Sequence, residues 1–218
     1  RQGKAGRCAA LYQLAGSGYH REQESIGRNS RGTKGRLMHA INDQGLAKSD
    51  QGIVEYFDLC TKDRIPLGKT GVRGIKLGPD EYHLVVLAIL VNREGRVLLT
   101  RRSARKIAGG LWECTAGSVQ AGETSREAII REVKEEIGLD VEFAGEPVTT
   151  YAEGAELFDI WTARIDNTLD DLVLQTAEVD AAMFATLDDI RQLIGSGKAT
   201  LSLSEVVRLA ETGIVPIR

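Results

Sequence analysis

Between residues 117 and 139 the chain reads GSVQAGETSREAIIREVKEEIGL, and this stretch limits the fold more than any other. Behind a glycine-bearing loop, Thr124 or Ser125 caps an amphipathic helix predicted to stop at Gly138. At ~100° per residue, Ile129, Ile130, Val133 and Ile137 share one arc, the face predicted to meet a core. Glu132, Glu135 and Glu136 share another, because residues three and four apart are neighbours on a helix. Ala128 lies on that second arc, one turn before Glu132, and leaves space for a ligand. Three like charges this close repel, and they sit in the half of the helix where the macrodipole disfavours anions. Arg131 relieves part of the strain by pairing with Glu135 at i+4, and Glu123 in the preceding loop is within its reach. The larger compensation is a hard divalent cation, Mg²⁺ or Mn²⁺, which takes oxygen ligands and accepts water or phosphate oxygens in its other positions. A solvated acidic face is the plainer reading, and the residues around the cluster decide against it.

Those residues follow the pattern Gly-x5-Glu-x7-Arg-Glu-apolar-x-Glu-Glu-x-Gly-apolar, met by Gly117, Glu123, Arg131, Glu132, Val133, Glu135, Glu136, Gly138 and Leu139. The pattern resembles the Nudix box of the Nudix hydrolase superfamily. The resemblance spreads over roughly residues 80–212, through the strands of 83–101, Gly110-Leu111-Trp112 and Glu178-Val179. The leader, from Glu55-Tyr56-Phe57-Asp58 through Lys69-Thr70-Gly71 and Arg73-Gly74 to Tyr82-His83, resembles the branch related to isopentenyl-diphosphate isomerase. The resemblance implies an α/β fold, an α/β/α sandwich with a mixed sheet. It implies metal-dependent attack of water on a diphosphate linked to another group, a nucleoside diphosphate-X or a related organic pyrophosphate. Glu132 and Glu136 match the family's usual metal ligands, with the backbone carbonyl at or near Gly117 as a further one. Glu135 assists the metal or activates water, and Arg131 with Glu123 forms an orienting salt bridge. The general base varies in the family, and Glu178 is the candidate here. A homodimer is compatible with the resemblance.

Other residues carry weaker signals. Arg101 and Arg102 end a strand near the expected cleft, and alternation lets only one of them point to each side. Either of them, and Arg73, is a candidate for the substrate's diphosphate, since guanidinium matches phosphate geometry. Trp112 and His83 read as structural. Cys114 reads as a small core residue. The isomerases carry a catalytic cysteine immediately before the box's first glycine, and Ala116 stands there in this chain. An isomerase, or a silent ligand sensor on the same fold, remains the alternative to a hydrolase.

Charge divides the chain. Residues 1–37 hold eight basic and two acidic side chains, leaving 20 basic against 29 acidic in the remainder. An acidic body argues against general nucleic-acid binding. The chain opens on Arg1 and its first methionine is Met38, so residues 1–37 are expected to be a disordered or non-native basic tail. Residues 38–79 are expected to form a leader with a short hairpin, and 80–218 the catalytic domain. The three cysteines form no CxxC pair, which argues against structural zinc and for a reducing cytoplasm. The longest apolar run, Leu84–Val91, is far short of a membrane span.

The remaining elements follow from pattern. Residues 53–60 read as a strand, with 64–67 pairing back, and the glycines from Gly68 to Gly78 read as loop. HLVVLAILV (83–91) reads as a strand buried on both faces, turning at 92–95 into a return strand. A short strand is expected at 111–116, others near 140–151 and 157–165, and helices over 187–194 and 202–212.

Overall fold

The computed structural model describes residues 47–49 and 52–217, so the tail predicted over 1–37 lies outside the described residues. At its centre is β5 (His83–Val91), nine residues of nearly unbroken apolar sequence. Val86, Ala88 and Leu90 enter one core and Leu87, Ile89 and Val91 the other, the period-2 alternation of a strand covered on both faces. Each branched side chain enclosed this way contributes roughly 1.5–3 kcal/mol.

The main sheet runs β11 (Val179–Ala185), β6 (Val97–Arg102), β5, β10 (Glu156–Arg164), β9 (Thr149–Glu153). β5 and β10 are parallel and the other pairs antiparallel, so the sheet is mixed. β5 and β6 pair only at Val91↔Val97 beside their turn and then part. Residues 112–118 enter the gap. β7 (Trp112–Glu113) pairs with β6, and β8 (Ala116–Ser118) pairs with β5, opposing Gly117 to Val86.

Helix α1 (Ser125–Ile137) covers one face of the sheet, burying Ala128, Ile129, Val133 and Ile137. Thr124 accepts from the Glu127 amide while the Glu127 carboxylate accepts from the Thr124 amide, and Gly138 closes the helix in the left-handed region at φ 76°. Helices α2 (Leu187–Gly195) and α3 (Ser202–Glu211) cover the other face. The fold is the α/β/α sandwich that the motif implied.

The leader forms a second antiparallel pair, β3 (Tyr56–Cys60) with β4 (Pro66–Val72), laid against the loop before α1. The Ala121 amide donates to the Tyr56 carbonyl, and the Gly122 amide to Asp58 Oδ2 at 2.9 Å. From the hairpin turn, Arg64 reaches the buried Asp159 of β10 at 2.5 Å. A short pair, β1 (Ala47–Ser49) with β2 (Gly52–Val54), precedes it.

Four expectations need correction. Gly68 and Gly71 lie inside β4 rather than a loop, and a Cβ on Gly71 would come within 2.4 Å of the Phe57 ring. That glycine marks close packing, not a turn. Residues 140–148 contain no strand, and β9 begins only at Thr149. β11 was not anticipated, because its small residues hide the alternation. On α1, Ile130 is 38% exposed, whereas Ala128 is fully enclosed. The buried arc is rotated toward Glu132 and Glu136, which lie beside Ile129 on the helix.

Candidate active site

The site is assembled where α1 crosses the inserted strand β8. Glu132 approaches Gly117 so closely that a Cβ there would lie 1.9 Å from Oε1 of Glu132. Any side chain at this position would push the Glu132 carboxylate from its place.

Arg131 gathers the acids of the motif. Its Nε and Nη2 donate to the two Glu123 oxygens at 2.8 and 2.9 Å, a bidentate fork. Nη1 donates to Glu132 Oε1 at 2.8 Å and to Glu135 Oε2 at 3.1 Å. Nη2 also donates to the Ser118 carbonyl, tying helix to strand. Glu123 in turn accepts from the Gln120 amide, which fixes the loop. Burial pulls the Arg131 pKa down, but the bonds to Glu123 and the charge of Glu132 outweigh it and hold the pKa well above the ordinary value.

The three helix carboxylates have different surroundings. The Glu135 side chain is 44% exposed. Glu132 is largely enclosed, and burial raises its pKa against the pull of Arg131. Glu136 is 4% exposed and its Oε2 has no hydrogen-bond partner. Burial, then the neighbouring charges of Glu113 and Glu132, push its pKa up to about 8. An enclosed carboxylate oxygen without a partner is costly.

Among the described residues, no group of three or more His, Cys, Asp or Glu side chains forms a ready metal cage. Arg131 holds the carboxylates of Glu132 and Glu135 to itself. Mg²⁺, however, is usually bound through one or two carboxylates plus waters and substrate phosphates. The unpartnered Glu136 oxygen, the adjacent Glu132 and the bare backbone at Gly117 are hard oxygen donors that fit such an ion.

A cleft of about 660 Å³ opens beside Gly117. Arg73 and Arg102, both selected from sequence, line it. Arg73 is held by Glu55 at 2.5 Å and lies within charge range of Glu132 and Glu156. Arg102 donates from Nη1 to Glu113 Oε1 at 2.6 Å and from Nε to the Ile107 carbonyl. Arg101 is not among the residues lining the cleft, and its guanidinium lies over the Trp112 ring at 5.8 Å. Neighbouring strand positions face opposite ways, so the cleft receives Arg102 and not Arg101. Glu178 is also absent from the lining and is ion-paired with Lys106.

Sequence reasoning missed Glu113 and Lys106. Glu113 is buried, its pKa raised by burial against the pull of Arg102. Lys106, on the loop after β6, lies within charge range of Arg102, Glu136 and Arg73. The Arg102–Glu113 pairing becomes legible only once β7 is known to lie against β6.

The comparisons with known proteins agree with this geometry. The NUDIX domain model matches residues 81–203. A Nudix hydrolase of Listeria monocytogenes is 37% identical over 148 residues, 66% of this chain and 88% of the relative. The CTP pyrophosphohydrolase of Escherichia coli is 40% identical over 55 residues, 25% of this chain and 41% of that protein. Among solved structures, the DR0079 protein of Deinococcus radiodurans superposes with a TM-score of 0.59 at 24% identity, over 71% of this chain and 98% of that one. That superposition speaks to fold alone. Box, fold and relatives converge, and the chain belongs to the Nudix hydrolase family.

Proposed function

We propose that the protein hydrolyses the diphosphate linkage of a nucleoside diphosphate-X compound with the help of Mg²⁺ or Mn²⁺. The observation that carries this reading is the enclosed, unpartnered Oε2 of Glu136 beside Glu132 and Gly117. Glu132, Glu136 and the Gly117 carbonyl are the groups that would hold the ion. Bound there, it would supply Lewis-acid polarisation of the diphosphate and a more acidic water.

The chain's own residues do the rest. Arg131, fixed by the Glu123 fork, keeps Glu132 and Glu135 in place. Glu135, half exposed at the edge of this network and lining a neighbouring hollow with Arg131 and Glu123, is the first candidate to take the proton of the attacking water. Glu178 is the second candidate base, and in that role it has to leave Lys106. Arg73 and Arg102, both in the lining of the cleft, meet the phosphate oxygens and stabilise charge growing on the departing phosphate. Water forms a bond to one phosphorus and gives its proton to the base, the P–O–P bridge breaks, and the bridging oxygen leaves on the other phosphorus, giving a nucleoside monophosphate and the phosphomonoester of X.

The intact glutamates favour an enzyme over a silent sensor. Cys114 is fully enclosed, and burial drives its thiol far above the ordinary value, which opposes a catalytic cysteine and hence an isomerase. The leader, whose hairpin supplies Arg73, belongs functionally with the catalytic domain in this reading. Cys60 and Cys114 are unpaired and no helix among the described residues is long and apolar enough to cross a membrane; the cysteines favour a cytoplasmic setting. The test is metal-dependent cleavage of a panel of nucleoside diphosphate-X compounds and isoprenyl diphosphates, read by chromatography as the monophosphates formed. Glu135→Gln should cut turnover at least ~100-fold with the fold intact. Unchanged turnover contradicts the assignment.

A further inference from the structure

The cleft has two chemically distinct ends. One holds Gly117, Arg73 and Arg102, with the Glu132 carboxylate packed against Gly117; these are the groups assigned above to metal and diphosphate. The other is built by β5, β9 and β10, whose registers lay six side chains on one face of the sheet. Glu156 opposes both His83 and Glu153, while Phe158 opposes both Val85 and Tyr151. All six line the cleft.

Two aromatic pairs stand at this end. Tyr151 and Phe158 stack with ring centroids 4.8 Å apart and planes 5° from parallel. Phe57, from the leader, stacks on His83 at 4.1 Å and 20°. Phe57 and His83 are buried and form the floor of this end, whereas Tyr151 and Phe158 are partly exposed and offer a flat surface in a chain with few aromatic residues.

Two acids share this face with them. Glu153 and Glu156 are direct cross-strand neighbours beside the Gly154-Ala155 turn, an arrangement in which like charges destabilise a sheet. Among the described residues Glu153 has no ion-pair partner. Glu156 comes within 3.8 Å of His83 Nε2 only, and burial lowers the His83 pKa, so that ring carries no charge at neutral pH. Arg73, the nearest cation, is engaged by Glu55. The His83 ring itself is enclosed, and its Nδ1 has no hydrogen-bond partner. A phosphate would be repelled here. An exocyclic amino group on a flat ring, with two N–H donors, would complete both acids, where the single ring N–H of a carbonyl base completes one.

We infer that this end of the cleft binds the nucleobase of the substrate, and that it selects a base bearing an exocyclic amino group, stacked on the Tyr151–Phe158 pair and read by Glu153 and Glu156. The inference rests on the hydrolase reading for the direction in which the substrate lies. It places the specificity of the enzyme on the β9–β10 hairpin and on the leader, which begins before the matched domain at residue 81.

The test separates base recognition from catalysis. Calorimetric titration without metal compares AMP with IMP and CMP with UMP, pairs that exchange an amino group for a carbonyl. The amino member should bind about tenfold to a hundredfold more tightly, the range expected for hydrogen bonds to charged groups. Glu153→Ala combined with Glu156→Ala should bring the two members to within about twofold, with the melting temperature showing that the variant is folded. Phe158→Leu should weaken both members of a pair by a similar factor. Equal affinity for amino and carbonyl bases, or a preference that survives the double substitution, overturns the inference. The same preparations are then assayed for Mg²⁺-dependent diphosphate hydrolysis. Hydrolysis without discrimination sinks this inference alone, and discrimination without hydrolysis sinks the catalytic reading alone.

Discussion

Replacing Gly117 with alanine probes the junction between helix and strand most sharply. The added Cβ would sit 1.9 Å from both Cδ and Oε1 of Glu132 and 2.5 Å from Oε2. Real contacts of this kind lie beyond 3 Å, so the carboxylate must move by more than 1 Å. Gly117 has no positive φ among the backbone exceptions, so the whole effect is steric. Glu132 then loses its 2.8 Å bond to Arg131 Nη1 or forces Arg131 off the Glu123 fork. Overpacking of this kind costs roughly 1–3 kcal/mol. Displacing a metal-holding carboxylate should lower kcat/KM at least ~100-fold, about 2.7 kcal/mol. Urea denaturation of Gly117→Ala, Glu132→Ala and the double variant closes a cycle, and removing the carboxylate should recover most of the stability lost to the methyl group. The expected coupling is at least ~1 kcal/mol. Additivity within the ~0.5 kcal/mol seen for independent sites refutes the packing argument.

Further outcomes follow from the same geometry. The Glu136 pKa is raised in the folded protein to about 8. The folded state therefore binds more protons than the unfolded one, and metal-free stability should fall as pH rises from the ordinary carboxylate range toward 8, by at most ~5 kcal/mol. Urea melts at pH 5 and 8 check this, and Glu136→Gln should remove the slope. Arg131→Lys keeps the charge but loses the fork to Glu123, and should cost about 1.5–3 kcal/mol of stability together with most of the turnover. Arg73→Ala and Arg102→Ala should each raise KM about tenfold or more, whereas Arg101→Ala, over Trp112, should leave KM within about twofold. A KM effect at Arg101 equal to that at Arg102 contradicts the facing assigned to β6.

Much of the framework was readable because its signals are local. The Thr124 cap, the left-handed stop at Gly138 and the double-sided apolar run of β5 each depend on neighbours within a few residues. So does the Arg131–Glu123–Glu135 grouping, set by helix spacing and one loop. What escaped depends on distant partners. Gly71 reads as a breaker until the Phe57 ring is seen against it. Arg101 and Arg102 are equivalent in sequence, and only the wedge of β7 against β6 decides which one meets Glu113. Glu153 and Glu156 look like ordinary surface acids until the hairpin sets them opposite each other. Glu136 and Glu135 are neighbours on a helical wheel, yet the buried arc of α1 takes in one and leaves the other half exposed.

The central claim is that the enclosed carboxylates of α1 hold a divalent cation. Mn²⁺ binding followed by electron paramagnetic resonance at neutral pH tests it without any substrate. The account predicts a stoichiometric site in the unaltered protein whose affinity falls at least ~10-fold in Glu136→Gln and in Glu132→Gln, and which Mg²⁺ displaces. Mn²⁺ bound equally well by both variants contradicts it.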